Sequence, residues 1–176
     1  VEQLISDLKG IMLNPEADLQ KDLADVMARY GIKFCVVHNF RGAPVHGYIS
    51  QNKDGEYQMA LTIRGAFADI FWFSLFHEIG HIVNGDISKA SGFIDALNNT
   101  DMAKENAADK FAGDALLAPE SYARFVAMED YSIGAIKRYA TSQRVAPFVV
   151  IGRLQKEKRI PYSWHSEYKV RYKWAE

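Results

Sequence analysis

The chain has 176 residues, of which 48% are hydrophobic, 24% charged and 12% aromatic. That supports one core with a small appendage and excludes disordered, collagen-like and low-complexity classes. The formal net charge of −1 conceals a division: residues 1–130 hold 11 Lys+Arg against 19 Asp+Glu, a balance of −8, whereas residues 131–176 hold 10 against 3, a balance of +7.

The single cysteine, Cys35, excludes an intrachain disulfide and a cysteine-rich metal site, and fits a reducing, cytoplasmic setting. The chain opens Val1-Glu2-Gln3-Leu4-Ile5, which lacks the basic region and apolar stretch of a signal peptide. Without an initial Met, a processed chain or a piece of a longer one is expected. The longest apolar run, 70–76, is interrupted by Ser74 and falls far short of the ~20 residues that span a bilayer.

In chain order, Leu4, Ile5 and Leu8 predict a short first helix over 1–10. Asn14-Pro15 predicts a second helix start, with Leu19, Leu23, Val26 and Met27 on one face and Gly31 as its stop. Residues 32–38, 45–50 and 56–64 read as strands. Asn52-Lys53-Asp54-Gly55 marks the turn of a hairpin between the last two. Residues 66–84 predict a helix that is apolar on nearly every side, hence buried. A loop is expected over 87–100, followed by helices at 101–117, 119–128, 132–142 and 147–158. The tail from Pro161 is aromatic and basic.

The buried helix contains His77-Glu78-Ile79-Gly80-His81. Four residues are about one helical turn, so His77 and His81 share a face and can share a metal ion. Imidazole suits zinc, and Glu78 projects beside that face, where a carboxylate can take a proton from an activated water. Two imidazoles and a carboxylate on an otherwise apolar helix are costly without partners, which disfavours a pair of plain core histidines.

A catalytic zinc site needs a third protein ligand. An HExxHxxGxxH pattern is excluded, because positions 84 and 87 are Asn84 and Ile87. Glu105, on the following long helix, is the better candidate, and Asp109, one turn later, is placed to accept the free N–H of a ligating histidine. Asp86 is a weaker competitor as ligand; His38, His46 and His165 are remote ones. Tyr131, His165 and Tyr172 are of the right residue type to stabilise an oxyanion, and the sequence does not rank them.

With FWFSLFHEIGH followed by ENAADKFAGDALLAP, the chain resembles the ImmA/IrrE family of zinc metallopeptidases. VAPFVVIGRLQKEKRIPYSW and KVRYKW resemble the C-terminal segment found where this peptidase is fused to a HigA-type antidote protein. The resemblance implies zinc on His77, His81 and Glu105, with Glu78 as catalytic base. It also implies a protein substrate of the repressor or antitoxin type, and a helix-turn-helix domain fused or adjacent. Two departures are visible: Ala107 stands where many members carry a second Glu, and the stretch from Phe111 to Pro119 is one residue longer.

The expected architecture is an α+β, minimal zincin-like domain of the gluzincin type. A small, mostly antiparallel sheet would pack against the buried helix. Residues 1–130 would form the peptidase core and residues 131–176 a basic helical extension. Within the extension, residues 133–158 have the layout of a helix-turn-helix, although Arg144 stands where the turn usually has a small residue. A zinc endopeptidase acting on a regulatory protein is the favoured function. The rivals are a DNA-binding regulator and a toxin–antitoxin interaction module, each with a non-catalytic metal site. The basic extension suits protein docking first and DNA second, with no membrane role.

Overall fold

The computed structural model describes residues 1–38, 46–63, 67–87 and 101–173. Helices α1 (Glu2–Leu13) and α2 (Leu19–Ala28) precede strands β1 (Ile32–Val37), β2 (Gly47–Gln51) and β3 (Tyr57–Thr62). Helices α3 (Ala68–Val83), α4 (Met102–Leu116), α5 (Pro119–Ala127), α6 (Ile133–Ser142) and α7 (Pro147–Lys156) follow, with a single 3₁₀ turn at Ser166–Tyr168. The class is α+β. Most of the expected loop over 87–100 lies outside the described residues.

Helix starts follow local chemistry. Asp18, Asp101 and Ser132 cap α2, α4 and α6 by accepting from the backbone N–H groups of Lys21, Ala103 and Ala135. Proline opens α5 and α7, where its missing N–H has no helical partner to lose. The α2 start expected at Asn14-Pro15 moves to Asp18–Leu19, because Asn14 holds a local turn by accepting from the Glu16 N–H.

The expected hairpin is present. Asn52 Oδ1 accepts from the N–H groups of Asp54 and Glu56, and Gly55 takes φ +86°, open to glycine at little cost. The sheet is not mostly antiparallel, however. Its order is β1-β3-β2, with β2 antiparallel and β1 parallel to β3, so it is mixed. The hairpin occupies only one edge of β3; β1 takes the other, in the same direction as β3.

Helix α3 buries Phe71, Trp72, Leu75, Phe76 and Ile79, yet Ile70 and Val83 reach solvent. Its burial is therefore broad rather than complete. The core cluster draws side chains from both charge segments: Leu8, Met27, Leu61 and Phe76 from the acidic one, and Ile136, Val150, Ile151 and Leu154 from the basic one. No helix among the described residues is long and apolar enough to cross a membrane.

The C-terminal tail is fastened to the start of α3. Ala68 N–H donates to the Val170 carbonyl at 3.0 Å, Phe67 and Arg171 form a β-bridge, and Trp72 Nε1 donates to the Tyr172 hydroxyl at 2.7 Å. Beneath them Lys169 Nζ lies 2.6 Å from Asp69 Oδ2, with both side chains nearly buried. Gly152 on α7 makes room, since a Cβ there would collide with the Asp69 carboxylate.

Removing one partner of a buried ion pair leaves the other charge uncompensated. Lys169→Met is expected to lower stability by about 3 kcal/mol. Adding Asp69→Asn should recover part of that loss, as read from urea unfolding of the single and double variants.

Candidate metal centre

His77 and His81 stand one turn apart on α3, and their Nε2 atoms approach to 3.1 Å. Glu105, in the first turn of α4, brings Oε2 to 3.3 Å from His77 Nε2 and Oε1 to 3.5 Å from His81 Nε2. Zinc–ligand bonds of about 2.0–2.1 Å in a tetrahedron separate ligand atoms by about 3.3 Å. The three donors therefore already have the spacing of a zinc-sized cation site. Glu105 keeps its side chain 40% exposed, so the group opens to solvent on one side.

The proton pattern supports a cation at the same point. Asp109 Oδ1 lies 2.8 Å from His77 Nδ1, and Asp86 Oδ2 lies 3.0 Å from His81 Nδ1. An ionised carboxylate only accepts, so each Nδ1 carries the ring proton. Each Nε2 is then left with its lone pair, and both lone pairs aim at one spot beside a carboxylate. A metal ion at that spot would satisfy all three donors at once. Among the described residues these three form the group able to hold a metal.

Two local devices set the carboxylates behind the rings. Asp109 follows Glu105 by one turn of α4 and so shares its face. Asp86 arrives through the end of α3: Gly85 adopts φ +73°, Gly85 N–H donates to the Ile82 carbonyl, and Asp86 N–H donates to the His81 carbonyl at 2.9 Å. This Schellman ending folds the chain back over its last turn. It makes Asp86 the hydrogen-bond partner of His81, whereas the sequence suggested it only as a rival ligand.

Gly80 explains how α4 comes so near. A Cβ there would lie 3.0 Å from Ala108 Cα, 3.1 Å from the Ala108 carbonyl oxygen and 3.2 Å from Phe111 Cδ1. Ala108 and Ala112 are fully buried in the same seam. Small residues on both helices thus let the backbones touch. Gly80 was visible in the sequence as a glycine inside a helix, a position that costs about 1 kcal/mol relative to alanine and asks for a packing reason.

Glu78 is buried against β2. A Cβ on Gly47 would fall 2.8 Å from Glu78 Cγ, so strand backbone lies directly beside the carboxylate. Burial, foremost, and the neighbouring Glu105 charge push the Glu78 carboxyl up to about 8.

The three residues considered for an oxyanion have hydrogen-bond partners elsewhere. Tyr131 donates to the Val126 carbonyl at 3.3 Å, His165 Nε2 pairs with the Tyr131 carbonyl at 2.9 Å, and Tyr172 accepts from Trp72. His38, His46 and His165 are not among the donors that converge with His77 and His81. One residue not assigned to the centre from sequence does approach it: Lys156 Nζ, on α7, lies 3.9 Å from Asp109 Oδ2.

The chain matches no protein-family profile and no curated protein. The likeness to ImmA/IrrE peptidases therefore rests on the motifs quoted above.

Gly80→Val should force α4 outward and weaken metal binding by His77, His81 and Glu105 more than about tenfold with all three still in the sequence, read with a divalent metal by competition with a chromophoric chelator. In the same assay Glu105→Ala should weaken binding more than Asp86→Ala, whose loss should be about 10–100-fold.

Proposed function

We propose that this chain is a zinc-dependent endopeptidase domain of the minimal zincin type, cutting a regulatory protein of the repressor or antitoxin class. The observation that carries the reading is the convergence of His77 Nε2, His81 Nε2 and the Glu105 carboxylate next to the buried Glu78. The donor set of two imidazoles and a carboxylate suits zinc, and an open side leaves room for water or substrate. Bound zinc supplies Lewis acidity, which polarises a carbonyl and makes water acidic near neutral pH.

The protein's own groups would do the rest. Asp109 and Asp86 fix the tautomer and direction of the two rings. Glu78, buried beside the converging donors, would take a proton from attacking water and return it to the leaving amine. Strand β2 ends the sheet among the described residues and passes Glu78 at Gly47, so its backbone could align an extended peptide beside that carboxylate.

A DNA-binding reading is less well supported. A recognition helix presents its N-terminal residues to base edges. In α7 those positions are Phe148, Val149, Val150 and Ile151, all buried in the core. The α6–α7 turn does hold Arg144 at φ +55°, and Ala140 and Val150 are buried where the two helices pack. The exposed basic residues left over from internal contacts suit an acidic protein partner better than a base-reading role.

The test is incubation with repressor- and antitoxin-type proteins from the same source, with and without chelator, read by intact mass. Glu78→Gln should keep about one zinc per chain and lose cleavage by about 10²-fold or more. His77→Ala should lose the metal. Cleavage by Glu78→Gln at the wild-type rate would remove that residue from the base role. An uncut partner that co-purifies with the zinc-loaded chain would favour an interaction module.

A further inference from the structure

Asp109 has two neighbours of opposite demand. Its Oδ1 faces His77 Nδ1 at 2.8 Å, and its Oδ2 faces Lys156 Nζ at 3.9 Å. The ammonium is kept there by a second contact, 4.4 Å above the ring of Phe73, which sits one turn before His77 on α3. The other ring, His81, is backed by Asp86, whose side chain is only 13% exposed, against 48% for Asp109. The two histidines are thus supported unequally, and a cation from the basic segment reaches the more exposed support.

We propose that Lys156 is a positioning residue for the metal centre, which weakens His77 as a ligand by sharing the Asp109 carboxylate. This rests on the metal-centre reading above. A hydrogen bond from imidazole to a carboxylate makes the opposite ring nitrogen a better donor, and the gain scales with the negative charge on the acceptor. A second cation on the same carboxylate withdraws part of that charge. Direct repulsion between Lys156 and a bound dication has the same sign, so removing the ammonium tightens the site by either route. Only the route through Asp109 depends on Asp109.

The experiment is a double-mutant cycle on zinc affinity, by chelator competition, using the whole chain. Lys156→Met keeps a long unbranched side chain and removes the charge; the Lys156 side chain is 66% exposed, so folding is not at risk. It should bind zinc about two- to fivefold more tightly, the scale of an exposed ion pair. Lys156→Arg should remain at the wild-type value. In an Asp109→Asn background the gain from Lys156→Met should be clearly smaller, since only direct repulsion remains there. In the zinc-loaded protein the His77 Nδ1 proton should move downfield in Lys156→Met, as its hydrogen bond to Asp109 strengthens.

An unchanged or weaker affinity in Lys156→Met overturns the inference, as does an equal gain in the Asp109→Asn background, which would mark plain repulsion. If wild type takes up no zinc, the metal-centre reading falls and this inference with it. Normal uptake that ignores Lys156 removes this inference alone.

Discussion

The contact on which the rest depends is the seam between α3 and α4. Gly80 meets the backbone of Ala108 there, and that approach brings a carboxylate from one helix within 3.3–3.5 Å of two imidazoles on the other. A larger residue at either position would hold the helices a side chain apart, and Glu105 would face water. Neither helix is a strong independent unit. Helix α4 fully buries only Ala108, Ala112 and Leu116, with Phe111 and Ala115 partly buried beside them, and α3 is built to be enclosed. The seam therefore makes the fold and the site one problem: the packing that buries α3 is also what assembles the donor set.

Around that seam the two histidines are held by different means. His77 relies on a carboxylate presented by a neighbouring helix, so its support depends on how α3 and α4 pack. His81 relies on Asp86, five residues further along its own chain, delivered by a helix ending that needs Gly85 in a left-handed conformation. The first support is tertiary and half exposed; the second is local and nearly buried. The tertiary support is the one that a third element, α7, can reach.

The legible parts of the sequence were those in which one physical rule acts over a short span. Four-residue spacing of His77 and His81, the one-turn step from Glu105 to Asp109, the proline starts of α5 and α7 and the Asn52–Gly55 turn each follow from local geometry. What stayed hidden needed a second element to define it. The pairing of β1 with β3 is parallel because of where the chain returns, which no periodicity within β1 encodes. Asp86 was legible as a weak ligand, sitting five residues past His81 where the helix ends, but not as the partner of His81 Nδ1, because that contact needs the chain reversal after Gly85. Tyr131, His165 and Tyr172 could be proposed only by residue type, and their hydrogen bonds lie with Val126, with Tyr131 itself and with Trp72.

The charge division between residues 1–130 and 131–176 reads differently once its contacts are known. Lys169 pairs with Asp69, Lys156 reaches Asp109, Arg144 donates to Ser6, and Arg153 donates to the Gly113 carbonyl. Arg171 lies over the ring of Phe67. Each of these joins the basic segment to the acidic one. Arg153 and Arg159 share Glu157 within the basic segment, and Lys137 covers Tyr168. Several basic side chains thus tie the C-terminal helices and tail to the rest of the fold, Lys169 and Arg171 at the start of α3, Arg153 and Lys156 at α4 and Arg144 at α1, although of these only Arg153 and Lys169 are partly buried and the others stay exposed. Exposed pairs of this kind contribute little each, whereas losing either partner of the nearly buried Lys169–Asp69 pair leaves the other charge uncompensated. The basic segment is therefore first a clamp on the rest of the fold. Any surface it offers to a partner is what remains after that clamp is made, and through Lys156 the clamp extends to the carboxylate behind His77.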